Sequence, residues 1–201
     1  MRPPAFFILF AAPAMRIIAG EAKGMPIHVP AGEVRPTQDR VREALFNILT
    51  GILPGARVLD LFCGSGSVGI EALSRGAATA RMVDAARASC DAARRNLERS
   101  RLRGGSVVAA DCLQFVRRDA GKYDIIFADP PYCKAAGDRD MIAELMTDRL
   151  AELLAEGGYF IAEAQEGYGV GDSRTREFAG WRLVDTRHYG KNVILFYQVE
   201  P

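Results

Sequence analysis

From Arg57 onward, short runs of consecutive apolar residues alternate with segments whose apolar positions recur at helical spacing. The runs read as buried strands and the segments as helices with one apolar face. In chain order, "RVLDLF" (57–62), "ATARMVD" (78–84), "SVVAAD" (106–111), "YDIIFAD" (123–129) and "GYFIAEA" (158–164) are strands. Helices run through "VGIEALSRG", over 86–100, shortly after Asp111, and over 139–155. Strands alternating with helices in this way predict an α/β fold whose mostly parallel sheet is covered on both faces. The closing segment, "WRLVDTRHYGKNVILFYQVE", holds two strand-like runs around Tyr189-Gly190-Lys191. That predicts an antiparallel hairpin at the sheet edge and a seven-stranded sheet in all.

Upstream, "RPTQDRVREALFNIL" places Val41, Leu45, Ile48 and Leu49 at helical spacing after Thr37, a suitable N-cap, so a helix is expected from about Gln38 to Leu49. Leu53-Pro54-Gly55 ends it. Arg16 to Pro30, with Gly20, Gly24 and Pro26, suggests a hairpin-like appendage. The first residues, "MRPPAFFILFAAPA", imitate a signal peptide with Ala12-Pro13-Ala14 as a cleavage site. The apolar run is short and flanked by prolines, and Met15 opens a polar sequence, so an extension or an upstream start is the preferred reading. The expected division is a dispensable extension over 1–14, the appendage over 15–36, and one domain over 37–201.

Composition changes this picture little: 201 residues, 49% hydrophobic and 25% charged, suit one ordinary globular domain. A net charge of +1 gives no bulk attraction to polyanions, but the charge is uneven. Residues 81–103 carry seven arginines against three acids, and 138–166 carry eight acids against two arginines. The basic stretch reads either as a phosphate-facing surface or as solvated helix faces. Cys63, Cys90, Cys112 and Cys133 form no CxxC pair, and the histidines are only His28 and His188. That argues against a zinc site and a disulfide scaffold, and fits a reducing cytoplasm. No segment approaches the ~20 apolar residues needed to span a bilayer.

Two motifs carry chemistry. In "IIFADPPYCKA" the strand ends in Asp129-Pro130-Pro131-Tyr132. Proline fixes its own backbone and holds the preceding residue extended, so the carboxylate of Asp129, the carbonyl of Pro130 and the ring of Tyr132 form a rigid edge. Such an edge suits a flat group that donates hydrogen bonds, as a nucleobase amine does. In "VLDLFCGSGSVG", Gly64-x-Gly66-x-x-Gly69 lies between a strand and a helix, formally a dinucleotide fingerprint. Asp60, just before it, would repel a pyrophosphate and suit an ammonium or sulfonium, which S-adenosylmethionine carries without any phosphate. Asp84 is placed to accept from ribose hydroxyls and Asp111 to meet the adenine amine. Each acid taken singly is also explained as a helix N-cap. Together they make one crevice along the carboxyl edge of the sheet. The glycine pattern alone would also serve an NAD-dependent oxidoreductase; Asp60 and the Asp-Pro-Pro-Tyr motif weigh against that.

These motifs resemble those of S-adenosylmethionine-dependent methyltransferases that act on exocyclic or amide nitrogens. "MRIIAGEAKG" from Met15, "RPTQDRVREALFNIL", "VLDLFCGSGSVGIEALSRGA", "FADPPY" and "YGKNVILFY" are similar, in order and spacing, to the bacterial RsmD family, which methylates N2 of one guanine in 16S rRNA. Cys63 stands where that family more often has alanine, and residues 1–14 have no counterpart. The resemblance implies a Rossmann-like methyltransferase fold, S-adenosylmethionine as cofactor with S-adenosylhomocysteine as product, and no metal. It implies catalysis by Asp129, Pro130 and Tyr132, and cofactor binding by Asp60, Phe62, Gly64, Ser65, Gly66, Asp84, Asp111 and Cys112. The implied partner is 16S rRNA within a small-subunit assembly intermediate, with a cytoplasmic monomer as the expected state and no membrane. Candidates for RNA phosphates are Arg16, Lys23, Arg35, Arg40, Arg42, Arg187 and Lys191, each equally explained as surface charge or, in the "DRVRE" helix, as structural. An adenine-N6 methyltransferase and a protein-glutamine N5 methyltransferase stay open as alternatives.

Overall fold

A computed structural model describes residues 15–29, 37–131, 138–165 and 177–200, with the side chains of 37–39 left out. The extension over 1–14, Arg35, Tyr132 and Cys133 lie outside the described residues, as does the side chain of Thr37.

Seven strands form one sheet: β1 (Arg57–Leu61), β2 (Thr79–Asp84), β3 (Gly105–Ala109), β4 (Tyr123–Ala128), β5 (Leu154–Gln165), β6 (Trp181–Tyr189) and β7 (Asn192–Val199). Their order is β3-β2-β1-β4-β5-β7-β6. The first five are parallel, and β7 runs antiparallel to both β5 and β6. This is the predicted Rossmann-like α/β architecture with its C-terminal hairpin. The central strands are buried on both faces, and alternate residues feed separate cores, as period-two geometry requires. Leu59, Leu61, Ile126, Phe160 and Leu195 pack on one side with α4 (Cys112–Arg118), α5 (Met141–Leu145) and α6 (Asp148–Leu153). Val58, Ile125, Phe127, Ile161, Ile194 and Phe196 pack on the other with α1 (Thr37–Ile48) and α2 (Ser67–Ser74). The arginine-rich helix is α3 (Arg87–Ser100), which buries Ser89, Cys90, Ala92, Ala93 and Asn96. Arg81 and Arg94 pair with Asp119 and Asp91 at 2.8 and 3.0 Å, while Arg87, Arg95, Arg99, Arg101 and Arg103 are exposed.

The expected single helix over 139–155 is instead two short helices followed by the start of β5. Thr147 takes an extended backbone and its hydroxyl accepts from the Leu150 N–H at 3.3 Å, starting α6 afresh. Ile142, Leu145, Leu150 and Leu153 are all buried across this break, so the apolar spacing conceals it.

Residues 15–29 do form a hairpin: the Ile17 N–H donates to the Met25 carbonyl and the Gly24 N–H returns to Ile17. It is no loose appendage. Met15, Ile17 and Ile27 are buried with Ile70, Met82 and Ala93 in a shared core. Buried polar side chains clamp it further: Glu71 accepts from the N–H groups of Ile18 and Ala19 at 2.7 and 3.1 Å, and Ser74 donates to the Ala19 carbonyl at 2.6 Å. Gly20 (φ +82°) is required at that contact, because a Cβ there would lie 1.7 Å from the Ser74 carbonyl oxygen.

Candidate active site

β2 and β4 flank β1, so the strand order reverses there, and open α/β sheets bind ligands outside the carboxyl ends of the strands at such a point. A cavity of about 540 Å³ opens at this place. The β1–β2 side of its lining, the first wall, carries Asp60, Phe62, Gly64, Ser65 and Asp84; the β4–β5 side, the second wall, carries Phe127, Asp129, Pro130 and Glu163; the buried side chains of Met15 and Arg42 also line it.

The first wall is organised by the backbone of the glycine turn. Gly66, in left-handed conformation, precedes α2 and is packed so closely that a Cβ would meet the Met82 sulfur at 2.9 Å. Gly69 lies closer still, at 2.5 Å from Met82 Cγ, which is how α2 seats on β2. Asp60 is 1% exposed, and its Oδ2 accepts from the Gly69 N–H at 2.9 Å, capping α2 from the neighbouring strand. Burial pushes its carboxyl up to about 7; the Gly69 N–H pulls the other way and the charge of Asp84 adds to the rise. Asp84 accepts from the N–H groups of Gly64 at 2.9 Å and Ala86 at 2.8 Å, one on each oxygen. Asn96, fully buried, donates to the Ser65 carbonyl at 2.9 Å and exchanges hydrogen bonds with the backbone of His28. The hairpin and the glycine turn therefore share one buried carboxamide.

Phe62 has a left-handed backbone, φ +60°, a conformation that costs a non-glycine residue about 1–3 kcal/mol. Cys112 accepts its N–H at 3.3 Å. Cys112 itself is buried behind the wall, its thiol pushed up to about 12 by desolvation, so it props Phe62 and does not line the cavity. Asp111 is exposed and its Oδ1 accepts from the Gln114 N–H at 2.9 Å: it is the N-cap of α4 and also lies outside the lining. The capping explanation holds for Asp111, while Asp60 and Asp84 both brace backbone and face the cavity.

On the second wall Asp129 continues β4, its N–H reaching the Leu61 carbonyl at 3.5 Å, and Pro130 is buried beside it. Glu163 and Asn192 are not singled out by the sequence motifs. Both are buried, and Asn192 Nδ2 donates to Glu163 Oε1 at 2.8 Å. A signal was present, since an acid interrupts an otherwise apolar strand in "FIAEA".

The proposed phosphate contacts separate. Arg16, Lys23, Arg40 and Lys191 are exposed; Arg187 is exposed but pairs with Asp185 at 2.8 Å. Arg42 is not a surface cation: it is 4% exposed, donates to the Arg16 carbonyl at 2.5 Å and lines the cavity. Among the described residues no three His, Cys, Asp or Glu side chains are grouped to hold a metal ion, and no helix is long and apolar enough to cross a membrane.

The family described as Conserved hypothetical protein 95, the RsmD family, matches residues 15–198. The chain belongs to this family. Within it, Ribosomal RNA small subunit methyltransferase D of Escherichia coli K12 is 34% identical over 151 residues, covering 75% of this chain and 71% of that protein. The solved structure of the Escherichia coli protein yhhF superposes with a TM-score of 0.77 at 31% identity, covering 93% of this chain and 98% of that one. A solved protein of Thermus thermophilus gives 0.73 at 30% identity, covering 92% of this chain and 100% of that one.

Proposed function

We propose that this RsmD-family protein transfers a methyl group from S-adenosylmethionine to N2 of a guanine in 16S rRNA. The observation that carries this reading is one cavity with a glycine turn and two braced carboxylates on one wall, and Asp129-Pro130 on the other. The small-subunit rRNA named for the Escherichia coli relative supports the substrate class.

The first wall fits the cofactor. A volume of about 540 Å³ falls in the range of small-molecule pockets. The wall by the glycine turn offers Asp60 and Asp84 where a phosphate site would offer cations, which suits a ligand bearing ammonium and sulfonium charges and hydroxyl donors. Asp84 would hold the ribose hydroxyls, Asp60 would face the positive end, and Phe62 would supply an apolar surface. The bound cofactor supplies an already activated methyl group.

The chain's task is then to present the amine. A guanine N2 lone pair is delocalised into the ring and is a poor nucleophile. Asp129 and the Pro130 carbonyl would accept its two hydrogens, directing the lone pair out of conjugation, and positioning of this kind supplies several kcal/mol of a barrier. Tyr132, next but one after Pro130, is assigned the base-stacking role by its place in the motif; such stacking is worth roughly 1–3 kcal/mol. No strong base is needed, because the methylated amine is a strong acid. A paired base cannot enter the cavity, so the target is unstacked or flipped. Arg16, Lys23, Arg40 and Lys191 are proposed to hold phosphates. The protein is proposed to act as a cytoplasmic monomer on an assembling small subunit, through one functional domain that includes the 15–29 hairpin.

The test is methyl transfer from labelled cofactor to small-subunit particles purified from cells lacking this protein, followed by nucleoside analysis. N2-methylguanosine at a single site is expected. Methyladenosine, or no transfer to RNA, would overturn the reading.

A further inference from the structure

β5 is buried along most of its length, yet its sequence places a carboxylate inside it. Ala128 of β4 pairs with Ala162 of β5, so the next residues along, Asp129 and Glu163, sit at the same level of the carboxyl edge. Strand alternation sets Glu163 on the face of Phe127 and Ile161, the face that α1 covers and to which Asp60 also belongs. Glu163 is 6% exposed and lines the cavity on the wall of Asp129 and Pro130. Its orientation is fixed by Asn192 of β7, whose amide donates to Oε1 at 2.8 Å. An ionised carboxylate only accepts hydrogen bonds, which is the chemistry that a ligand N–H requires.

We propose that Glu163 selects the base: its carboxylate accepts the N1–H of the guanine whose N2 amine lies at Asp129 and Pro130. The inference rests on the guanine-N2 reading above. Guanine presents N1–H and N2–H side by side on its Watson–Crick edge. Adenine presents a lone pair at N1, which a carboxylate repels. Asp129 and Pro130 alone would suit either base's amine; Glu163 supplies the choice between them, and Asn192 positions it.

The test compares small-subunit particles reconstituted with 16S rRNA carrying, at the mapped nucleotide, either guanine or 2-aminopurine, which keeps the N2 amine and lacks the N1–H. The wild-type chain is expected to favour guanine at least about tenfold in kcat/KM, the scale of one well-made base-edge contact. Glu163→Gln can still accept from Asn192 but can also donate to an N1 lone pair. It is expected to cut the guanine preference about tenfold, with cofactor Kd changed less than about twofold. A wild-type preference near one overturns the proposal without any variant, and so does an unchanged preference in a folded Glu163→Gln. Failure of the underlying reading looks different: the wild type would then leave N2 of guanine unmethylated in the first place.

Discussion

At the ends of β1 and β2 the carboxylates are engaged by nearby backbone: Asp60 holds the Gly69 N–H, and Asp84 holds those of Gly64 and Ala86. At the ends of β4 and β5 the corresponding acids, Asp129 and Glu163, face the same cavity, but Glu163 is oriented by Asn192, two strands later in the chain. The first wall is thus a self-braced turn whose acids serve fold and ligand at once. The second is assembled by sheet topology from side chains distant in sequence. Damage to the first wall should therefore cost stability and cofactor affinity together, and damage to the second should cost transfer or selectivity alone.

Asp129→Ala tests that separation most severely. Transfer is expected to fall about 10²–10³-fold, the scale of losing one preorganised polar group at a reacting centre, with cofactor Kd within about twofold by calorimetry. Joint loss of both would abolish the distinction between the walls. Asp84→Ala should do the opposite: two backbone N–H groups lose their acceptor, at about 1–3 kcal/mol each if buried without water. A lowered melting temperature and roughly tenfold or weaker cofactor binding are expected; normal affinity in this variant would remove Asp84 from the ribose role.

Asn96→Ala sharpens the comparison from outside the cavity. It deletes the carboxamide joining His28 to the Ser65 carbonyl, and should lower stability by about 1–3 kcal/mol. Amide exchange should quicken both in residues 15–29 and around the glycine turn. Faster exchange in the hairpin alone would mean that the two are not coupled.

The smallest effect concerns pH. The Asp60 carboxyl titrates at about 7 in the folded chain, above its ordinary value of 3.8. Between those limits the folded state holds more proton than the unfolded one, so this group makes stability fall as pH rises, by on the order of 1 kcal/mol per pH unit. Affinity for a cationic ligand should run the other way and strengthen as pH passes about 7, because ligand charge favours the ionised carboxylate. Asp60→Asn should flatten both trends in denaturation and binding measured from about pH 5 to 8. An undiminished pH dependence in the variant would assign the titration to another group.

Much of this is legible in one dimension. Strand and helix periods predict the sheet, and the Asp-Pro-Pro motif predicts one wall because proline restricts the backbone locally. The segment 139–155 reads as one helix because apolar spacing continues through a break that Thr147 imposes by capping. Asp111 reads as part of the crevice because a strand-end acid that lines a cavity and one that caps a helix have the same local sequence. Arg42 reads equally as a phosphate contact, a surface charge or a structural arginine, because only tertiary packing, which buries it, separates these.

By itself the sequence determined the features that depend on neighbours within a turn or a strand: which segments form elements, where glycine lets α2 approach β2, and which strand ends carry acids. Only the tertiary structure decided which of those acids share a cavity, that the 15–29 hairpin is locked to the glycine turn through Asn96, and that Glu163 and Asn192 meet. The reason is that burial and register across a sheet are set by elements far apart in the chain. Local pattern fixes the side a residue faces along its own strand, and says nothing about what stands opposite it.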